Sequence, residues 1–173
     1  MTQVARVAAI AAQPIVPVAA AVPALHFLMR LHTPLFAPTP VHEQLLVFHP
    51  RQGGTVEGPR IRGTLEQPGG DWVRTLPDGS MRIDVRLLIR LDDGCAALMS
   101  YGGVLAKPEQ ASWQRFLAGA LIEAPLWHYL VAPTFETGSE QYAWLNRVQA
   151  IGKFVSIQTG PEAHVAFDIY EVR

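Results

Sequence analysis

Apolar and polar side chains alternate with a period of two residues over most of the chain, which is the pattern of half-buried β-strands. In the first such segment, Phe27, Met29 and Leu31 share one face, while Arg30 and His32 share the other. Segments of this kind predict strands at residues 25–35, 44–49, 55–66, 71–76, 81–91, 95–105, 127–135, 148–157 and 164–172. The protein is therefore predicted to be mainly β, with about eight to ten strands.

Turn residues between these segments indicate how the strands are connected. Asp78-Gly79 and Asp93-Gly94 each supply the positive-φ position of a tight turn, so two consecutive hairpins are predicted. Residues 68–70 predict a further turn, and Gly58-Pro59 predicts a bulge or an edge position inside the strand at 55–66. Consecutive hairpins are typical of an antiparallel meander and not of βαβ units.

One segment, residues 108–123, has a helical period. Its apolar face consists of Trp113, Phe116, Leu117, Ala120 and Leu121. We expect this face to pack against the sheet, for example by plugging the end of a barrel; binding to a partner is the alternative. Because closure removes exposed strand edges, the meander predicts an antiparallel up-and-down β-barrel with one helix. An open two-sheet sandwich is the second candidate.

Length and composition narrow the class of protein. The chain has 173 residues, and we assign residues 25–173 to a single barrel domain. With a formal net charge of −1 it lacks a basic footprint, so no nucleic-acid partner is expected. The single cysteine, Cys95, excludes an internal disulfide and any multi-cysteine metal site. Its position at the start of an apolar run predicts a buried structural thiol.

Residues 1–24 are rich in Ala, Val and Pro, and we interpret them as a leader that is loosely ordered or docked on the surface. A signal peptide is the alternative, but Pro14 and Pro17 interrupt the apolar run and only Arg6 precedes it. No apolar stretch is long enough to span a bilayer without a proline break, so no transmembrane segment is expected. We therefore expect a cytoplasmic protein, or an exported one if the leader is a signal peptide.

The common motifs of metal and phosphate chemistry do not occur. The six histidines are distributed over several predicted segments and have no zinc-protease spacing, so no metal is expected. The glycine-rich segments lack the P-loop lysine and the dinucleotide fingerprint, and no serine occurs in a nucleophile elbow. Accordingly, no cofactor is expected.

The densest group of chemically capable side chains lies at residues 134–146. There Glu136, Tyr142, Trp144 and Asn146 supply a carboxylate, a phenol, an indole and an amide. Partial desolvation would raise the pKa of Glu136 toward the range useful in acid–base catalysis, so Glu136 is a catalytic candidate and the other three are ligand-binding candidates. The structural alternative is that Glu136 caps a helical turn near Tyr142 or accepts hydrogen bonds from backbone amides.

A second group lies on the predicted strands at 71–76, 81–91 and 95–105. Asp71 is the second catalytic candidate, and Trp72, Asp84, Arg86 and Tyr101 are further ligand-binding candidates. Asp84 and Arg86 are two residues apart and share one strand face. The structural alternatives are a turn-capping aspartate beside a core indole and an ordinary Asp84–Arg86 ion pair.

Six segments together resemble a known family. They are GGTVEGPRIRG (53–63), PGGDW (68–72), RIDVRLLIRLDDG (82–94), FETG (135–138), YAWLN (142–146) and DIYEV (168–172). On these segments, the chain from about residue 25 onward resembles the domain-of-unknown-function family three-two-three-seven, a group of uncharacterised UPF-type proteins. The resemblance implies a small antiparallel barrel of lipocalin-like (calycin-type) architecture and little about activity. The aromatic-Arg pair usual before FETG is Tyr129-Leu130 here, so that arginine is missing.

These observations lead to a functional hypothesis. A small barrel can hold one ligand, so we expect this one to bind a small aromatic or polyketide-like molecule. If Glu136 or Asp71 moves a proton, the protein is a cofactor-independent isomerase, cyclase or lyase. The alternatives are a non-catalytic carrier and an oligomeric scaffold such as a homodimer. The hypothesis requires the polar side chains between Asp71 and Asn146 to face one cavity.

Overall fold

The computed structural model describes residues 24–173, and within this range the chain forms eleven strands and one α-helix. The strands are β1 (Leu25–Pro34), β2 (Thr39–His42), β3 (Leu45–Phe48), β4 (Thr55–Glu57), β5 (Arg62–Thr75), β6 (Met81–Leu91), β7 (Ala96–Leu105), β8 (Ile122–Glu123), β9 (Tyr129–Thr137), β10 (Ala150–Gln158) and β11 (His164–Val172). The helix is α1 (Gln110–Leu117), and a 3-10 helix follows β9 at Ala143–Arg147. The predicted leader lies outside the described residues, except for Ala24.

Eight of these strands close into an antiparallel barrel. Each pairs with the next in the ring β1-β4-β5-β6-β7-β9-β10-β11, and β11 pairs with β1 to complete it. Ring neighbours are neighbours along the chain, apart from the short strands that are inserted between them. The predicted up-and-down barrel is thus confirmed, and the two-sheet sandwich is not the fold.

The three remaining strands and α1 decorate this ring. The β2–β3 hairpin lies between β1 and β4 in sequence, and β3 pairs with residues 71–74 of β5. The two-residue strand β8 pairs with β10. The predicted helix at 108–123 was too long, because Gly119 has a φ of +87° and Ile122 already belongs to β8. Glycine tolerates this left-handed conformation, which ends the helical segment.

Two proline–glycine segments have roles opposite to those predicted. Gly58-Pro59 forms the turn between β4 and β5, where the Gly58 N–H donates to the Ile61 carbonyl at 2.8 Å. Residues 68–70 lie inside β5, whose pairing with β6 shifts between Glu66 and Gly70. Glu66 pairs with Leu88 and Gly70 with Arg86, so β5 has two extra residues there. Pro and Gly mark bulges as well as turns, and composition alone does not distinguish the two.

The bulge also marks a change of partner on the other edge of β5. Residues 62–64 pair with β4, whereas residues 71–74 pair with β3. The Gln67 side chain in the bulge donates to the carbonyl of Pro50, which lies between β3 and β4, at 2.9 Å. The edge of β5 opposite β6 is therefore shared by two short strands, with β4 before the bulge and β3 after it.

Two smaller expectations about side-chain direction were wrong. A register shift in β1 between Phe27 and Met29 buries both Leu28 and Met29 and leaves Phe27 exposed. Cys95 is exposed, because it still belongs to the turn before β7, where its N–H donates to Asp93 Oδ1 at 2.9 Å. A bulge or a longer turn changes which face the following residue occupies.

The barrel interior differs between its two ends. Twelve large apolar side chains are almost completely buried, among them Met29, Leu31, Ile89, Met99 and Phe167. None of the twelve lines the cavity described below. One part of the barrel is therefore a packed core, and the other part is hollow. No helix within residues 24–173 combines the length and the apolar character needed to cross a bilayer.

Candidate functional site

The hollow part of the barrel is a cavity of about 200 Å³ with largely apolar walls. Its strand-borne lining includes Val73, Ile83, Leu105, Tyr129 and Val165. Trp113, Phe116 and Leu117 of α1 line the same cavity, so the helix covers this end of the barrel. The helix face therefore packs at the barrel end, as the sequence led us to expect.

Aromatic side chains form one wall of the cavity. The Trp127 ring lies 5.8 Å from Trp113, 5.2 Å from Phe116 and 6.2 Å from Phe154, and Tyr129 stacks on Phe154 at 5.9 Å. The indole N–H of Trp127 donates to Ser112 Oγ at 2.9 Å. Since that polar group is already bonded, the indole presents apolar surface to the cavity.

Asp71 is the one carboxylate among the described residues that line this cavity. It follows the bulge of β5 and pairs with Val85 in β6 and with Phe48 in β3, so its backbone is held on both sides. The residue is only 8% exposed, and its Oδ1 atom is buried with no hydrogen-bond partner in the described structure. An unpartnered buried carboxyl oxygen is costly, so its retention requires an explanation.

The electrostatic surroundings of Asp71 favour its protonated form. Burial raises the pKa of the Asp71 carboxyl to about 7, and the negative charge of Asp84 adds to the rise. Burial also raises the pKa values of Tyr101 and Tyr129 well above the usual value for a phenol, and the Asp71 charge contributes to both. Near neutral pH, the cavity therefore contains a carboxyl group close to half-ionised and a phenol that keeps its proton.

The other catalytic candidate, Glu136, is elsewhere. It is exposed on the outer face of β9, beside Leu98 and Asn146 in a shallow surface depression. Asn146 binds the end of β9, because its Oδ1 accepts from the Thr137 N–H at 2.8 Å and its Nδ2 donates to the Thr137 carbonyl at 2.9 Å. In this position Asn146 fixes the 3-10 helix to the barrel.

Tyr142 and Trp144 lie in the same region as Asn146. The Tyr142 hydroxyl donates to Asp92 Oδ1 at 2.6 Å, which joins this segment to the β6–β7 turn. The Trp144 ring packs under the Arg60 guanidinium, with 3.9 Å from Cζ to the ring centroid. None of the three candidates at 142–146 lines the cavity that contains Asp71.

Trp72, Asp84 and Arg86 are together, but on the outside of the barrel. Trp72 pairs with Asp84 across β5 and β6, and Arg86 Nη1 donates to Asp84 Oδ1 at 2.8 Å. Tyr101 faces inward and lies edge-on to Phe167, at 6.3 Å between ring centroids. The nine candidates thus separate into three places, and a single shared cavity is not formed. Adjacent residues of a strand point to opposite faces of the sheet, so the side chains of Asp71 and Trp72 cannot line the same cavity.

Sequence reasoning missed Trp127 and Tyr129 as residues of the cavity wall. A signal was available, since Trp127, Tyr129 and Val131 alternate on one face of the strand predicted at 127–135. The polar groups near turns are the more conspicuous signal in the sequence, but most of them lie outside the cavity. Within residues 24–173, no three His, Cys, Asp or Glu side chains are close enough together to hold a metal ion.

Fold and site together define a small closed β-barrel with an internal apolar cavity and an aromatic wall. The chain belongs to the family described as "Protein of unknown function (DUF3237)", which matches residues 23–172. A UPF0311 protein from Clostridium acetobutylicum is 30% identical over 92 residues, which are 53% of this chain and 58% of the relative's length. The chain therefore aligns with less than two thirds of that relative.

Solved structures confirm the fold. A conserved protein of unknown function from Rhodopseudomonas palustris superposes with a TM-score of 0.76 at 17% identity, covering 87% of this chain and 98% of that one. A beta-barrel like protein from Acinetobacter baumannii gives 0.67 at 24% identity, covering 94% and 99%. A structure described as an enzyme from Penicillium herquei gives 0.56 at 22% identity, covering 93% and 98%. At these identities the likeness shows the fold alone.

Proposed function

We propose that the cavity binds a small, planar, largely apolar molecule of aromatic or polyketide-like type and that Asp71 moves a proton of that ligand. The reaction class is cofactor-independent acid–base chemistry of the isomerase, cyclase or lyase kind. The observation that carries this proposal is the buried Asp71 carboxyl, with its unpartnered Oδ1, in an otherwise apolar cavity.

The ligand class is inferred from the lining of the cavity. Trp113, Phe116 and Trp127 offer aromatic surface, and the volume of about 200 Å³ suits a molecule of one or two fused rings. Polar groups are few: besides Asp71 there are Tyr129, Thr75 and Thr159, and the Thr159 hydroxyl already donates to the Phe116 carbonyl at 2.7 Å. A ligand with one or two oxygen atoms matches this distribution.

The proton-transfer role is inferred from the state of the carboxyl group. With a pKa of about 7, Asp71 has comparable amounts of acid and base at neutral pH, which is optimal for a group that both removes and returns a proton. The Tyr129 phenol, which keeps its proton, is a hydrogen-bond donor for an oxygen atom that becomes negative as a C–H proton leaves. The Penicillium herquei structure, described as an enzyme, is consistent with catalysis by this fold.

Isotope exchange tests this chemistry without knowledge of the natural substrate. The probe is 2-tetralone, a small aromatic ketone whose protons next to the carbonyl are weakly acidic. In D₂O at pD 7, proton NMR measures how quickly these protons are replaced by deuterium, with and without protein. We expect the wild-type protein to accelerate the exchange above the buffer rate and Asp71→Asn to remove the acceleration.

Glu136→Gln is the matched control, because it alters the competing carboxylate on the outside of the barrel. We expect this variant to exchange as fast as the wild type and to bind 2-tetralone equally well in a thermal-shift titration. Acceleration that survives Asp71→Asn and disappears in Glu136→Gln would contradict the proposal. Binding without acceleration in the wild-type protein would favour a carrier instead of an enzyme.

A further inference from the structure

The outer face of β5 and β6 has a second group of converging side chains, on the opposite side of the sheet from the cavity. They line a groove of about 260 Å³, and Ile83 is the one described residue that lines both this groove and the cavity. The residues that line it are Leu45, Trp72, Arg74, Arg82, Ile83, Asp84 and Arg86. Three guanidinium groups and one carboxylate leave this groove with an excess of positive charge.

Arg74 and Arg82 are the unusual pair in this groove. They lie directly opposite each other in the β5–β6 ladder, both are exposed, and neither forms a side-chain hydrogen bond or ion pair with another described residue. Like charges in directly opposite positions destabilise a sheet. Arg82 interacts with the charge of Asp78, but Asp78 accepts hydrogen bonds from Ser80, and these lower its pKa more than the charge of Arg82 does.

Trp72 supplies a flat surface beside these arginines. A Cβ atom on Gly70 would lie 2.7 Å from Cη2 of the Trp72 ring, so the indole lies back along the strand over the glycine. The side chain stays exposed, with 40% of the residue accessible. Gly70 pairs with Arg86, whose guanidinium is bonded to Asp84, so the indole lies beside this neutralised arginine. The two arginines without described partners follow at the next outward position along the strands, and both of them line the groove together with the indole.

We propose that this groove binds an aromatic carboxylate, with its ring on the Trp72 indole and its carboxylate between Arg74 and Arg82. Guanidinium groups bind carboxylates through paired, charge-assisted hydrogen bonds, and they do so more strongly than a point charge. Such a ligand removes the repulsion across the ladder and covers the exposed indole. The site lies on the other face of the sheet from Asp71 and does not require the proposed proton-transfer function.

The test uses 2-naphthoate as the probe, in calorimetric titrations at 20 mM salt. We expect saturable binding to the wild-type protein, an affinity at least tenfold lower for Arg74→Gln/Arg82→Gln, and a similar loss for Trp72→Ala. Arg62→Gln is the control, since Arg62 is also exposed on β5 but lies outside the groove. It should bind as the wild type does. The neutral analogue 2-naphthalenemethanol should bind much more weakly.

Three results would overturn the proposal. One is wild-type affinity in Arg74→Gln/Arg82→Gln, which would place the naphthoate elsewhere, including the cavity. Another is an equal loss in Arg62→Gln, which would indicate non-specific charge attraction. The third is equal affinity for the acid and the alcohol. Thermal melts of each variant establish that it is folded, and exposed Arg→Gln changes on a strand are expected to permit folding.

Discussion

Replacement of Asp71 by asparagine should change how the stability of the protein depends on pH. In the unfolded chain the carboxyl has its ordinary pKa of 3.8, whereas in the folded protein burial and Asp84 raise it to about 7. Well below pH 3.8 Asp71 is protonated in both states, so its ionisation does not change the unfolding free energy. As the pH rises toward 7, the unfolded state loses its proton first, so the wild-type protein loses stability across this window.

The size of the effect follows from the two pKa values. Each pKa unit corresponds to about 1.4 kcal/mol, so the interval from 3.8 to about 7 corresponds to about 4 kcal/mol of unfolding free energy. Asparagine does not titrate. The unfolding free energy of Asp71→Asn minus that of the wild type should therefore increase by about 4 kcal/mol between pH 4 and pH 8 and be constant above pH 8.

Urea unfolding followed by tryptophan fluorescence at each pH from 4 to 8 measures this difference. Subtraction removes the contributions of titrating groups that do not interact with Asp71, because these are common to both proteins. Glu136→Gln provides the comparison, since it changes an exposed carboxylate on the outside of the barrel to the corresponding amide. A difference for Asp71→Asn that stays flat, or that decreases as the pH rises, would refute the assignment of a buried, proton-retaining carboxyl group.

Three further predictions concern other parts of the molecule. Asp84→Asn should lower the pKa of Asp71, because it removes the negative charge across the sheet, and a carbon-13 NMR titration of the Asp71 carboxyl should show the lower midpoint; an unchanged or higher midpoint would contradict this. Tyr142→Phe should lower the unfolding free energy by about 1 kcal/mol through loss of the bond to Asp92, whereas Tyr170→Phe, the control, should change it little. Gly58→Ala should cost at least ~2 kcal/mol, because its Cβ would lie 1.9 Å from the Leu28 carbonyl oxygen, and Gly138→Ala, with open space around it, should be tolerated in the same urea assay.

The barrel was predictable from the sequence because alternation and hairpin turns are local signals. The strands predicted at 81–91 and 164–172 have the same bounds as β6 and β11 in the structure. The errors occurred where a proline–glycine segment is compatible with either a turn or a β-bulge. Residues 68–70 stay in β5 because the chain on both sides of them, at 63–66 and at 71–75, pairs with β6, and no short stretch of sequence contains that information.

The candidate site was only partly accessible to such reasoning. Asp71 was selected from its position after a presumed turn, and the structure places it after a bulge, facing inward. Which of two adjacent residues faces the interior depends on the register of the strand, and a bulge before the residue changes that register. The assignment of Asp84 and Arg86 to a common face was correct, but sequence does not say whether that face is inside or outside. Burial of the neighbouring Val85 and Leu87 decides that it is outside.

The interrupted ladder of β5 separates the strand pairing at the two ends of the barrel. Its first portion is bonded to β4 beside the solid hydrocarbon interior, and its second to the β2–β3 hairpin beside the hollow. Leu46 and Phe48 of β3 line the cavity, and β3 does not pair with β4. We therefore expect substitutions in the β2–β3 hairpin to alter the cavity while the pairing of β4 with β5 stays unchanged.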